Sequence, residues 1–376
     1  MSTSWKNHLL PDDLTVFKGK RVLIRFDWNM PVTDGIVTDS SRFDATISFL
    51  KKLSFAGAKI IILSHFGEKG ESILPIAKFV HEKLSFVNFI PSLSLEELER
   101  ASHEVADGNV VLFENVRMFL GETDNLPSLA RSFANLGDVF INDAFSVSHR
   151  KHASVVGVAE LMLSYIGPTF ARELEHLTKA LTPEKPALLI VGGAKIATKL
   201  ALIEHYLEED VQVFVGGAMV HNIWKSRGIE IGTSLYDPTY ALPESFYNHP
   251  MLLTPIDVIL DDGTCVSYKN IPMDKMVVDC GNETIQMVKK VLSESKTVII
   301  NGPLGLYEKG FITGSEGMLR AVIDSHITSY AGGGDTVSVA HTLGLLDKFT
   351  FVSLGGGAML DFLASGTLVG IDAVTK

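Results

Sequence analysis

Short β-branched runs alternate with longer stretches of helical period along almost the whole chain. That alternation is the signature of parallel βαβ construction. In the first half the pattern predicts strands at Arg21–Phe26, Lys59–Leu63, Phe86–Ile90, Asn109–Phe113 and Val139–Asn142. Helices are predicted between them near Ser41–Ala56, Leu74–Lys83, Leu95–Ser102 and Pro127–Leu136. The second half repeats the scheme with strands at Ala187–Val191, Val211–Val215, Thr297–Ile300, Thr328–Ala331 and Thr350–Ser353. Its helices fall near Thr198–Leu207, Val220–Arg227, Ser315–Ser325 and Thr336–Leu343. Between Leu252 and Val278 an Asp261-Asp262-Gly263 turn signal reads as an added strand pair.

A chain of 376 residues exceeds what one core usually supports, so two domains are predicted. Phe170, Leu174, Leu177 and Leu181 share one helical face, and Pro183 and Pro186 follow, so residues 169–181 read as a connecting hinge helix. The expectation is an α/β protein of two doubly wound, mostly parallel-sheet domains facing a central cleft. One comprises residues 1–168 plus 362–376 and the other residues 182–361. The net charge of -11 argues against nucleic acid or a membrane surface as partner. Cys265 and Cys280 fit neither a metal knuckle nor a redox pair, and no signal-peptide pattern or membrane-length apolar stretch occurs. A soluble cytoplasmic protein is expected.

Strand ends in the second half carry glycine clusters: Gly192-Gly193, Gly216-Gly217, Gly332-Gly333-Gly334 and Gly355-Gly356-Gly357. One such turn merely starts a tight loop. Four on one sheet edge would let backbone N–H groups converge on an anion. Lys195 and Lys199 follow the first cluster at a spacing that places two ammonium groups on one helix face, where they could clamp a polyphosphate. Asp335 reads either as a helix cap or as a magnesium carboxylate. Asn301, Pro303 and Glu308 add groups that could hold a ribose or base, or form a plain Gly-Pro turn. G-x-G-x-x-G, Walker, H-R-D and D-F-G signatures are all missing, which excludes the commoner nucleotide folds.

Strand ends in the first half are polar and basic instead. Asp27 and Asn29 close the first, His65 the second, Arg117 follows the fourth, and Arg150 follows the fifth. Arg42 opens the first helix. Arginine forks take phosphate and carboxylate in bidentate fashion, so a small doubly anionic metabolite is the predicted guest. His149 and His152 lack a third ligand at zinc spacing.

With these segments in order, the chain resembles the phosphoglycerate kinase family. The resemblance rests on Arg25-Phe26-Asp27-Trp28-Asn29-Met30-Pro31, Ser64-His65-Phe66-Gly67, Glu114-Asn115-Val116-Arg117, His149-Arg150-Lys151-His152, Gly192-Gly193-Ala194-Lys195, Asn301-Gly302-Pro303, Gly332-Gly333-Gly334-Asp335-Thr336 and Gly355-Gly356-Gly357. It implies reversible phosphoryl transfer between 1,3-bisphosphoglycerate and ADP, giving 3-phosphoglycerate and ATP, with magnesium, by direct in-line transfer after domain closure. By resemblance, Asp27, Asn29, Arg42, His65, Arg117 and Arg150 bind the acid. Gly193, Lys195, Lys199, Gly217, Asn301, Pro303, Glu308 and Gly332 to Thr336 bind the nucleotide, with Asp335 on the metal. Arg42, Lys195 and Gly355 to Gly357 would stabilise the transferring group. The implied enzyme is a monomer acting on small molecules, and its C-terminal segment from Phe362 returns to the first domain. The attacking carboxylate is already ionised at neutral pH, so no general base is needed.

Glu68 and Lys69 stand where the family has arginine and proline. Lys69 is expected to turn in as a substitute, or Glu68 to face solvent. Thr198, Asn282, Ile300 and the Ser146-Val147-Ser148 stretch also depart from the family pattern. Two alternatives follow: a divergent acyl-phosphate kinase acting on another small carboxylate, and a non-catalytic nucleotide-binding homologue.

Overall fold

The structure, a computed structural model, describes residues 4–376 apart from Lys69. The chain divides into two units, residues 1–175 with 366–376 and residues 176–365.

Unit 1 is built on six parallel strands: β1 (Arg21–Phe26), β2 (Lys59–Leu63), β3 (Val87–Ile90), β4 (Val110–Phe113), β5 (Val139–Asp143) and β6 (Ser164–Ile166), in the order β3-β4-β2-β1-β5-β6. β1 and β2 are buried from their second residues onward, as expected of strands covered on both faces. Helices α1 (Ser41–Phe55), α2 (Leu74–Lys83), α3 (Leu95–Glu104) and α4 (Pro127–Ala134) return the chain between strands. α1 buries Phe43, Thr46, Phe49, Leu50 and Leu53, the spacing of an amphipathic helix. Val22, Ile24, Phe26, Trp28, Phe43 and Ile62 are among the residues of one apolar core. From β1 the chain moves outward through β2 on one side and, later, through β5 and β6 on the other. The order therefore reverses between β1 and β5, at the position where doubly wound sheets place their ligands.

α5 (Pro168–Leu181) follows, with the unit boundary inside it, after Glu175. Unit 2 holds a second six-stranded parallel sheet. Its strands are β7 (Ala187–Val191), β8 (Gln212–Val215), β9 (Leu252–Leu253), β13 (Thr297–Asn301), β14 (Thr328–Gly332) and β15 (Phe351–Ser353), in the order β9-β8-β7-β13-β14-β15. The reversal here lies between β7 and β13, paired from Ala187–Thr297 to Val191–Asn301. Its helices are α6 (Leu200–Glu208), α7 (Met219–Ser226), α8 (Glu244–Tyr247), α9 (Asn282–Glu294), α10 (Thr313–Asp324), α11 (Gly334–Thr342) and α12 (Gly357–Ser365). α13 (Val369–Thr375) belongs to unit 1.

Three differences from the sequence reading stand out. The expected strand pair between Leu252 and Val278 is a three-stranded antiparallel sheet of β10 (Asp257–Leu260), β11 (Cys265–Ser267) and β12 (Val277–Cys280), in the order β11-β10-β12. No helix was expected over α9, although Ile285, Val288 and Leu292 recur at helical spacing on its buried face. The return to unit 1 was drawn at Phe362. The structure keeps residues 362–365 in unit 2, because α12 runs unbroken to Ser365 and the chain turns at Gly366, whose φ is +77°. Among the described residues no single helix is long and apolar enough to cross a membrane; α12 and α13 pass that test only as a pair bent by 69°.

Candidate active site

In unit 1 the reversal point carries a charged cup. Asp27, at the end of β1, is buried, and its carboxylate accepts from Arg42 and the hydroxyl of Ser146, with the ring of His65 3.6 Å away. Burial alone would raise the Asp27 carboxyl. Arg42, His65, Ser146 and Arg25 outweigh it and hold the group at about 2. Arg42 also donates to the Asn29 carbonyl at 3.3 Å, and the Asn29 side chain accepts from the Gly67 amide at 2.9 Å. His65 is buried, and burial pushes its imidazole well below the ordinary value despite Asp27, so it is neutral at pH 7.

Arg117 sits in a short turn after β4, its amide donating to the Asn115 side chain at 3.0 Å and its guanidinium to the Gly67 carbonyl. Burial and then repulsion from Arg150 push Arg117 down, so the Arg150 charge is felt at this cup. Arg150 itself is exposed and donates to the His149 ring at 3.2 Å. Glu68 is exposed too, and its charge acts on Arg117; Lys69 lies outside the described residues.

Sequence reasoning missed the support beneath the cup. Arg25 is buried, with Nε donating to Ser154 Oγ at 3.0 Å, one amino group to the Phe26 carbonyl and the other 3.2 Å from His65 Nδ1. Ser154 in turn donates to buried Glu122 at 2.5 Å. The available signal was an arginine inside an otherwise apolar strand, since a buried guanidinium must have partners.

In unit 2 the glycine turns of β7 and β13 fit one into the other. The Gly193 amide donates to the Pro303 carbonyl at 2.8 Å, and the Gly192 amide to the Asn301 carbonyl at 2.9 Å. Gly217 takes φ +63°, and a Cβ there would meet the Gly193 amide nitrogen at 2.6 Å, so only glycine closes this crossing. Beside it lies a cavity of about 310 Å³, within the range of small-molecule sites. Gly193, Gly217, Pro303, Glu308 and Asp335 line it. Lys195, Lys199, Asn301, Gly332, Gly333, Gly334 and Thr336 are not among its lining residues.

The two lysines do not share a helix face. A 3-10 turn, Ile196–Thr198, separates them, leaving Lys195 exposed and Lys199 buried. The Lys199 ammonium donates to the Gly192 carbonyl at 2.7 Å and the Asn301 carbonyl at 3.0 Å. Burial pushes it down to about 8, with Asp335 pulling the other way. Lys199 thus ties the ends of β7 and β13 together, and Lys195 carries the exposed charge. Thr336 accepts from the Gly302 amide at 2.6 Å, and Asn301 is buried beside Gly333. Gly333 takes φ +92° ahead of α11, and Gly356 takes φ +54° ahead of α12, whose first residue, Gly357, is exposed.

Asp335, exposed in the first turn of α11, accepts from the Tyr307 hydroxyl at 2.9 Å. Among the described residues no cluster of three or more His, Cys, Asp or Glu side chains could hold a metal. One carboxylate suits a magnesium ion delivered with phosphates rather than a resident cation. The apolar walls of the cavity, formed by Trp224, Leu235, Met276, Leu304 and Leu306, were not foreseen, because apolar residues after a glycine turn look like core.

Residues 12–366 match the family model described as phosphoglycerate kinase. A phosphoglycerate kinase of Maricaulis maris is 35% identical over 95% of this chain and 95% of its own length. One of Clostridium botulinum is 37% identical over 96% of this chain and 98% of its own. The chain belongs to the phosphoglycerate kinase family. The solved phosphoglycerate kinase of Coxiella burnetii superposes with a TM-score of 0.84 at 32% identity, covering 96% of this chain and 97% of that one. That of Pyrococcus horikoshii gives 0.81 at 25% identity, covering 95% and 96%. The family's two parallel-sheet α/β construction is therefore this chain's as well.

Proposed function

We propose that this chain is a phosphoglycerate kinase, moving a phosphoryl group reversibly between the acyl phosphate of 1,3-bisphosphoglycerate and ADP. The observation that carries the reading is the family match over residues 12–366, joined to a charged cup at one reversal point and a glycine-lined cavity at the other. Arg42, Arg117 and Arg150 supply the positive charge for a phosphorylated carboxylate, with Asp27, Asn29 and neutral His65 orienting it. Asp27 stays ionised and fixes the Arg42 fork from below.

In unit 2 the cavity takes the base, Gly193 lets the backbone pass close beside it, and the turns at Gly217 and Gly333 to Asp335 offer backbone amides to phosphates. Asp335 would hold a magnesium ion bound with the nucleotide, which would supply charge neutralisation at the phosphates. Exposed Lys195 is placed to follow the transferring group, together with Arg42 and the amides of Gly356 and Gly357, while the Gly355 amide donates to Ser353 Oγ at 3.1 Å. The acid ligands and the nucleotide ligands belong to different units, so turnover requires the units to bring their guests together. The reading takes the chain as a cytosolic monomer.

A coupled assay with 3-phosphoglycerate and MgATP tests it, with size-exclusion chromatography of the same sample for the monomer. Wild-type protein should turn over, while Lys195→Ala should lose kcat by about a hundredfold or more and MgADP affinity by less than tenfold. Turnover only with another small carboxylate would point to the divergent acyl-phosphate kinase. Equal turnover by the two proteins would remove Lys195 from the transfer step.

A further inference from the structure

Asp335 occupies a position with two possible uses. As the second residue of α11, it lies beside backbone amides that have no partner inside the helix, and its carboxylate could turn back and cap them. It does not. Gly333, which precedes the helix, provides no side-chain cap, and the one hydrogen bond that the Asp335 side chain makes among the described residues comes from the Tyr307 hydroxyl, at 2.9 Å. The second carboxylate oxygen is left open on an exposed side chain.

Tyr307 stands 28 residues earlier, in a short 3-10 turn, Tyr307–Lys309, that follows β13. The Leu306 amide just ahead of it donates to the Val278 carbonyl at 2.9 Å, and the half-buried ring packs against the apolar core of unit 2, so the hydroxyl is held in place from behind. The Asp335 carboxylate pushes the phenol up, which keeps the proton on the tyrosine and makes the hydroxyl the donor. Tyr307 and Asp335 both line the unit 2 cavity, and neither is closed to solvent.

A hydroxyl bonded to a carboxylate is charge-assisted and outweighs the pull of a helix end on an exposed side chain. Resting on the magnesium-nucleotide reading of this cavity, we propose that Tyr307 is a positioning residue for Asp335. Its hydroxyl holds the carboxylate away from its own helix. The first amides of α11 then stay open to a phosphate oxygen, and the free carboxylate oxygen stays open to the cation bound with the phosphates. Without the hydroxyl, Asp335 closes on its own amides, and carboxylate and amides are withdrawn from the ligand together. Hydrogen bonds that orient a metal-holding side chain are typically worth about 10–100-fold in metal affinity. Water competes for this exposed one, so about threefold to tenfold is expected.

Titration calorimetry of the full chain with MgADP, run as a double-mutant cycle, provides the test. Tyr307→Phe removes one oxygen and keeps the packed ring, so the melting temperature should stay within about 2 °C of wild type. MgADP affinity should fall about threefold to tenfold. In an Asp335→Ala background the same change should alter affinity by less than about twofold, because no carboxylate is left to hold. A tyrosine that touched the nucleotide itself, or merely braced the turn, would lose as much in either background. Equal affinity of wild type and Tyr307→Phe, or the same loss in both backgrounds, would overturn the proposal and leave the nucleotide reading standing. If Asp335→Ala binds MgADP as wild type does, the metal role of Asp335 falls and the proposal falls with it. The expected cycle in a protein without turnover on 3-phosphoglycerate would uphold the role of Tyr307 while refuting the phosphotransfer reading.

Discussion

Asp143 ends β5, and replacing it with asparagine should shift the stability difference from wild type by about 3 kcal/mol in the variant's favour between pH 5 and pH 8. The side chain is buried; Oδ1 accepts from the Phe170 amide at 2.9 Å, and Oδ2 has no partner. Burial raises the carboxyl to about 7, with hydrogen bonds from Thr169 and Phe170 only partly resisting. Between its ordinary value of 3.8 and about 7 the folded chain keeps a proton that the unfolded chain has released, so stability falls as pH rises through that window. At roughly 1.36 kcal/mol per pH unit, the full penalty above pH 7 is about 4 kcal/mol, of which about 3 kcal/mol develops between pH 5 and 7.

An asparagine side chain in its place would not titrate. The amide would keep an acceptor for Phe170 but bury an unpaired donor where Oδ2 now lies, at a pH-independent cost of about 1–3 kcal/mol. Relative to wild type, Asp143→Asn should thus gain about 3 kcal/mol between pH 5 and pH 8, lying within about 1.5 kcal/mol of it at pH 5 and above it at pH 8. Urea unfolding in a Trp224→Phe background reads this out, because the remaining tryptophans, Trp5 and Trp28, both report on unit 1. Other titrating groups cancel in the comparison. A stability difference that stays constant between the two pH values would refute the reasoning.

Lys199→Met should lower the melting temperature by several degrees as well as weaken MgADP binding, since two strand-end carbonyls lose a charged donor at about 1–3 kcal/mol; weakened binding with an unchanged melting temperature would return Lys199 to a purely ligand-holding role. Gly217→Ala should cut MgADP affinity more than tenfold by calorimetry, because its Cβ would meet Gly193 backbone at 2.6 Å and a residue at φ +63° costs about 1–2 kcal/mol besides. Glu68→Arg adds positive charge next to Arg117, so the KM for 3-phosphoglycerate should fall about threefold to tenfold at low salt and much less at high salt. A salt-independent KM equal to wild type would mean that Glu68 does not bear on the acid.

Much of the architecture was legible because it is encoded locally. A run such as Lys59–Leu63 is too apolar for a surface strand, and the spacing of Phe43, Leu50 and Leu53 admits only a helix packed on one face. Helix α9 was equally legible in the spacing of Ile285, Val288 and Leu292. The glycine clusters announced close backbone approach, and the motif order announced the family.

The sequence by itself thus determined two parallel α/β layers, polar and basic strand ends in one half and glycines in the other. The tertiary structure decided what those ends do. Pairing β7 with β13 brings Gly192 and Asn301 together, and only then do two carbonyls converge on Lys199 and bury it while Lys195 stays in solvent. The same holds for Arg25, an odd residue in an apolar strand until Ser154 and His65 arrive from distant segments. Trp224 is unremarkable in a helix until the cavity forms beside it. Burial and partnership are long-range properties: they set the charge state and hydrogen-bonding capacity of a side chain, and no local pattern contains them.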